Sequence, residues 1–353
     1  MHKFFILAKL AKSHCPKIIC PKIITAFFSQ HPLLLFIIRR IAAMIPVLFI
    51  TIFFFFFFMS LAPGDFFTEY YQNPEIRAEV IDHYRDEFGL DKPFFIQFAR
   101  WLKKVLIDHD FGMSFSYRQP ILELINTRIW NTVFLNFFSL IFSIAISYPV
   151  AFYFSYKPNK ILEKGVNFFT LILYSVPSFF LALLGLMFAA KTGFFPIGGA
   201  TSEAYGTFSA AGKLYDRLHH IALPVIVGLI GGIAGSIRTM KILLDEEFHK
   251  PYITAVRAKG GTKPVIIKHA FRNALIPFIT GISGIISALI GGSLFVEIIF
   301  AYPGIGRLMY EATLRQDYYL VLTNMIISDF LVLSGIMISD ILLAIADPRV
   351  RIK

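Results

Sequence analysis

The sequence predicts an all-α polytopic membrane protein with six transmembrane helices, and three observations predict it. Hydrophobic residues make up 56% of the 353 and charged ones 16%, with a mean hydropathy of +0.65, which argues against a soluble globular domain. Long runs free of Asp, Glu, Lys and Arg recur along the chain, most of them close to the roughly 20 apolar residues that cross a hydrocarbon core. The positive charges gather in alternate segments between those runs.

Residues 1–35 read as a cytoplasmic tail. Its two cysteines, Cys15 and Cys20, lie in a tandem CPKII repeat. Their five-residue spacing, the flanking prolines and the absence of a histidine cluster predict no metal site there. Lysines interrupt the apolar run and no small-residue cleavage site follows, so no signal peptide is expected. The first transmembrane helix occupies 36–64 and is free of charge from residue 41. Its run from Phe53 to Phe58 is poor intrinsic helix chemistry, but in lipid a helix satisfies the backbone internally. Residues 65–128 form an external region that mixes charges with aromatic residues, Trp101 among them.

Residues 129–353 make up the core, with five further helices. Four sit on the charge-free runs 129–156, 165–190, 218–237 and 273–296; the last occupies 318–346, where the acids are Asp329 and Asp340. The loop 191–217 reads as flexible from its Gly and Ser content.

Charge sets the orientation. With the N-terminus inside, the inner segments carry 7 Lys and Arg up to Arg40, 3 within 157–164, 8 from Arg238 to Arg272 and 3 at the C-terminus, 21 in all. The outer segments carry 13, balanced by 16 acids. The long 65–128 segment is discounted, because long loops translocate largely regardless of charge, and the short loops point the same way. Both termini are therefore expected in the cytoplasm, and the net charge of +11 needs no nucleic acid to explain it.

The cytoplasmic loop 241–272 between the fourth and fifth spans has an orderly pattern. Pro251 stands where a first helical residue would, and Gly260 with Gly261 where a helix stops, which predicts a helix of about 9 residues. Phe248, Tyr252, Ala255 and Val256 recur at spacings of three and four and so share a face, while Arg257 and Lys259 lie near the end that favours cations. A short exposed helix with an apolar stripe suits a groove on a partner. Thr262 and Pro264 open a second helix that leads through Val265, Ile266, His269, Ala270 and Asn273 into the next span, so the pair would act as a lever. Charge alone would equally suit a topology signal or a contact with anionic lipid; the Pro, Gly and apolar pattern favours docking.

Catalytic motifs are not apparent. No G-x-x-x-x-G-K-[ST] phosphate loop occurs, since Gly212-Lys213 is followed by Leu. Ser283 within GISG has no histidine in reach inside the bilayer, and the small residues 281–292 are better explained by close helix packing. No catalytic residue, cofactor or metal is expected.

The stretch KPYITAVRAKGGTKPVIIKHAFRNALIP at 250–277 resembles the cytoplasmic loop of ABC importer permeases, in particular the B-type membrane subunits of dipeptide, oligopeptide and nickel importers. IIRRIAAMIPVLFI, LAPGD at 61–65, QPILELINTRIWNT, VEIIFAYPGIGRLMYEATLRQDY and SDILLAIADPR are similar to that family in the same order, from about residue 36 to 350. The resemblance implies a type I importer permease of the bacterial inner membrane that moves peptides or peptide-like solutes. It also implies a second homologous permease, two cytoplasmic ATPases that supply the hydrolysis, and a periplasmic solute-binding protein. It places the ATPase contact on Tyr252, Ala255, Arg257, Ala258, Lys259 and Gly260, with Phe248 added from the apolar stripe. Glu297 matches the acid of the family's VE segment and Asp340 an acid of its final helix, which marks both as candidates for the pathway or gate. Departures are Thr254-Ala255-Val256 where the broader importer motif has Glu-Ala-Ala, Trp130 in place of a proline, and Asp329 as an additional acid. An ion-coupled secondary carrier acting without ATPases is the alternative, and it would need these intramembrane acids as proton relays.

Overall fold

The computed structural model describes residues 32–61, 79, 92–156, 159–277, 282–291 and 293–346. The cysteine-bearing tail, the exit sequence 62–65 and most of the external region up to residue 91 lie outside the described residues. So do Gly281 and the side chain of Ser283. Among the described residues every regular element is a helix, and an isolated bridge between Met113 and Pro120 forms no strand.

Helix α1, Pro32–Leu61, carries the phenylalanine run without a break. α2, Phe94–Leu106, rests on its far end through Phe98, Trp101 and Val105, which are buried at helical spacing. Ring centroids lie 5.4 Å apart for Phe53 and Phe98 and 5.6 Å apart for Phe56 and Trp101. α3, Ile121–Tyr156, starts eight residues before its charge-free run, because Glu123 is exposed and Arg128 half-buried in its first turns. α6, Ala210–Phe248, likewise extends beyond 218–237 at both ends. Hydrophobic length thus marks the lipid-facing part of a helix, and the helix itself is longer.

α3 and α6 run side by side in register. Ser139, Ser147 and Ser155 each donate a hydrogen bond to a carbonyl 86 residues later, those of Val225, Ile233 and Lys241, at 3.4, 3.2 and 3.5 Å. A constant offset means parallel helices, so the chain between them must return across the bundle. It returns as a bent pair: α4, Lys160–Ser175, and α5, Ser178–Thr192, meet at 92°. The predicted span 165–190 is therefore one crossing made of two helices. Pro177 is the cause: it has no N–H to donate and drives Val176 into extended backbone, φ −81°, ψ 121°. Glu163 at the start of α4 reaches Lys241 near the end of α6 at 3.2 Å, and the Phe194 carbonyl just past α5 accepts from the His219 ring nitrogen Nε2 near the start of α6 at 2.7 Å. The pair so covers about 33 Å of α6, a membrane thickness.

The loop 191–217, expected to be flexible, is tied down between the end of α5 and the first turns of α6. Gly199 donates to the Phe300 carbonyl at 2.9 Å, Ser202 donates its backbone N–H to Asp216 at 2.9 Å, and a 3-10 turn forms at Glu203–Thr207. α7 spans Pro251–Ala258 and α8 spans Lys263–Ala274. Within the predicted fifth span the described residues form α9, Ile282–Gly291, and the start of α10, Leu294–Ile299; 278–281 and 292 lie outside the described residues. α11, Ile305–Leu314, leads into α12, Tyr318–Ala346, which matches the last predicted span. Four described helices are long and apolar enough to cross a membrane singly and the bent pair makes a fifth crossing, against the six expected.

α12 lies antiparallel to α1. Thr51 donates to Asp329 at 2.5 Å and Arg40 pairs with Asp340 at 3.0 Å, 11 residues apart along each helix. Arg40, the ends of α3 and α6, and α7 lie at one end of the bundle, here the lever end. α2, the starts of α3 and α6, and α11 lie at the other, the capped end.

Candidate functional site

At the lever end α6 stops at Phe248, with Lys250 in extended backbone, φ −69°, ψ 146°, just before Pro251 opens α7. Nine residues after Pro251, Gly260 takes φ +76°, a left-handed conformation that costs a glycine nothing. Gly261 donates to the Val256 carbonyl at 2.9 Å to seal the helix end, and α8 begins after Thr262.

The expected apolar stripe divides between two faces. Ile253, absent from the predicted stripe, is the fully buried residue of α7, with Val256 half-buried three positions on. Phe248 packs inward beside Met240, Leu244 and Ala274, its ring 6.5 Å from that of Tyr156. Thr254, Ala255, Arg257, Ala258, Lys259 and Gly260 are exposed and form the outer surface of the knuckle. Tyr252 is half-buried and turns its hydroxyl inward, donating to Glu247 Oε2 at 2.6 Å. Burial, then this bond to a carboxylate, raises its pKa, while a hydrogen bond from Asn273 works the other way. Lys250 pairs with the other oxygen of Glu247. Sequence reasoning missed Glu247 as a site residue; its signal was an acid five positions before a tyrosine, at the end of a long apolar helix.

At the capped end Glu297 is fully buried. Its Oε1 accepts from the Thr132 and Ser293 hydroxyls, each at 2.7 Å, and its Oε2 from the Arg307 backbone N–H at 3.0 Å. Thr132 in turn accepts from the Ile305 N–H at 2.8 Å, so one carboxylate ties α3, α10 and α11 together. Burial, then the charge of Glu297, pushes the Tyr302 hydroxyl up to about 12. Asp340, the other candidate gate residue, is engaged by Arg40 at 3.0 Å, and Asp329 by Thr51.

Between the ends lies a cavity of about 380 Å³ bounded by α3, α6, α9 and the start of α10. Its polar lining is neutral: Asn136, Ser139, Ser143, Ser178, Ser236 and Ser293. Glu297 does not line it, although Ser293 and Val296 on the same turn do. Among the described residues no three His, Cys, Asp or Glu side chains come together as a metal site.

Residues 143–352 match the family described as binding-protein-dependent transport system inner membrane component, and residues 33–136 match its N-terminal counterpart. The chain is similar to the oligopeptide transport system permease protein AppB of Bacillus subtilis, with 34% identity covering 90% of this chain and 99% of that protein. A putative peptide transport system permease protein of Brucella abortus is 34% identical over 89% of this chain and 98% of its own length. The dipeptide transport system permease protein DppB of Lactococcus lactis is 29% identical over 90% and 99%. With its all-helical, membrane-crossing architecture, the chain belongs to the family of binding-protein-dependent transport permeases.

Proposed function

We propose that this chain is one of two homologous membrane subunits in an ATP-driven importer for peptides or peptide-like solutes. The complex also comprises two cytoplasmic ATPases, which carry out the hydrolysis, and a periplasmic binding protein. The chain sits in the bacterial inner membrane with both termini in the cytoplasm. The observation that carries this reading is α7: an exposed eight-residue helix held between two membrane-directed helices at the end where the inner positive charges gather. Its outer residues Ala255, Arg257, Ala258, Lys259 and Gly260 dock on an ATPase. The names of the relatives support peptides as cargo, and the neutral cavity suits a solute recognised through its amide backbone.

ATP closure acts on such a gate only by favouring one of its two states, and α7 is the contact through which it does so. An ion-coupled carrier would need a free acid in the bundle, whereas Glu297, Asp329 and Asp340 each have partners in place. The test is the double variant R257E and G260W. The protein should still insert in the membrane, and the ATPases should no longer copurify with it. Normal copurification would sink the assignment of the docking face.

A further inference from the structure

Two helices are joined at the hydroxyl of Tyr252, with a third packed beside them, and we propose that this junction is the pin that turns the knuckle into a lever. The inference rests on the reading of α7 as the ATPase-docking element. Tyr252 lies on α7 and donates to Glu247 on the last turn of α6, while α8 packs against α7 beyond the Gly260 turn. Glu247 is buried, with 7% of its surface exposed, and its second oxygen holds Lys250 at the α6–α7 joint.

Without these bonds α7 would be attached by two single-chain joints. One is the extended backbone at Lys250 and the other the left-handed turn at Gly260. Single bonds at such joints rotate easily, so a push on α7 would be spent in turning it. The buried Ile253 resists lifting but, as an apolar contact, has little directional preference. Hydrogen bonds to a buried carboxylate do have direction, and leaving that carboxylate short of a donor is costly. Pinned, α7 moves with α6 and α8 together. α6 is zipped to α3 by the serine ladder, and α8 leads towards α9, which packs along α12. One displacement thereby reaches both halves of the bundle. Tyr252 and Glu247 are positioning residues in this scheme, behind the docking face.

The experiment uses the assembled complex in proteoliposomes with a mixture of radiolabelled di- and oligopeptides. It measures ATPase copurification, ATP hydrolysis and peptide taken up per ATP. In Y252F and E247A the ATPases should stay bound and hydrolyse ATP, while uptake per ATP falls about fivefold, as expected when a buried hydrogen bond that biases a two-state element is lost. E247Q keeps a carbonyl to accept from Tyr252 and should recover most of the ratio. An unchanged ratio with a lower yield of protein would mean that the junction serves stability alone, and would overturn the proposal. Loss of the ATPases from Y252F would overturn it by putting Tyr252 on the docking face. Should Y252F fail to accumulate, E247Q against E247A decides on the same ratio. A wild-type chain that binds no ATPase would overturn the functional reading, and the pin with it.

Discussion

The two ends of the bundle hold their carboxylates with different kinds of donor. At the capped end Glu297 is held by two hydroxyls and a backbone N–H. Asp317 accepts from the Ser114 hydroxyl at 2.6 Å and the Ser116 N–H at 3.0 Å, and Asp216 from the Ser202 N–H. Those donors are on short side chains or on none. At the lever end, outside the Glu247 junction, the donors are long: Lys241 on Glu163 at 3.2 Å and on Asp245 at 2.7 Å, and Arg40 on Asp340 at 3.0 Å. A short donor has one place to stand, so the bonded elements keep one geometry. A long side chain can follow its acceptor through several ångströms by changing rotamers. The difference teaches where motion is allowed: one end is fastened, and the other stays paired while its parts shift.

Removing Glu297 should break the fastened end most severely. E297A leaves the Ser293 hydroxyl and the Arg307 amide buried without an acceptor and opens a hole between three helices. The cost should be about 3 kcal/mol or more. Thermal unfolding in detergent should show a large fall in midpoint, with E297Q between the two because its amide cannot accept from Arg307. A midpoint matching the wild type would end the claim that this carboxylate fastens α3, α10 and α11.

The same substitution at two glycines sharpens the contrast. A Cβ on Gly304 would run into the carboxylate of Glu297 and the hydroxyl of Thr132, so G304A should disrupt the capped end nearly as much as the loss of the acid. Around Gly260 there is open space, and the obstacle is its φ of +76°. G260A should cost only about 1 kcal/mol, the usual penalty for a left-handed alanine. It should leave the unfolding midpoint almost unmoved while lowering ATP-driven uptake. Equal losses of stability in the two variants would remove the distinction between the ends.

Much of this was legible in the sequence, and the parts that were not have definite reasons. Charge-free runs located the helices because lipid penalises ions wherever they fall, and Pro251 with Gly260 bounded α7 through strictly local backbone preferences. The bend at Pro177 was missed because hydropathy does not register an absent N–H. The segment 191–217 looked loose by its glycines and serines, yet α6 already begins at Ala210 within it, and its order comes from Asp216 on that helix and from Phe300, which is distant in sequence. Asp329 had no sequence account; its partner Thr51 lies 278 residues away. Tyr252 was assigned to the docking face by spacing and by the family resemblance. Spacing gives the angle round a helix but not which angle faces the protein, and the buried Ile253 decides that.

The smallest effect is found where the capped end itself uses a long donor. Arg307 gives its backbone N–H to Glu297 and its guanidinium Nε to Glu311, the latter at 2.7 Å. Glu311 also accepts from the Tyr117 hydroxyl. Burial would raise the Glu311 pKa, but the bonds from Tyr117 and Arg307 and the charges of Arg307 and Arg315 outweigh it, and the value is lowered. Burial, then Glu311, pushes Tyr117 up to about 12, so it remains a neutral donor at any working pH. A carboxylate with a lowered folded pKa contributes stability that is present above its unfolded value, 4.5, and is lost as pH falls through the folded value. The wild-type midpoint should therefore drop more steeply than that of E311Q below about pH 4.5, and by only a few degrees because the pair is partly exposed and screened. Parallel curves would show that the pair adds nothing. A steeper wild-type curve with Glu297 still in place would separate the two arms of Arg307, the backbone arm fastening three helices and the guanidinium arm yielding to acid.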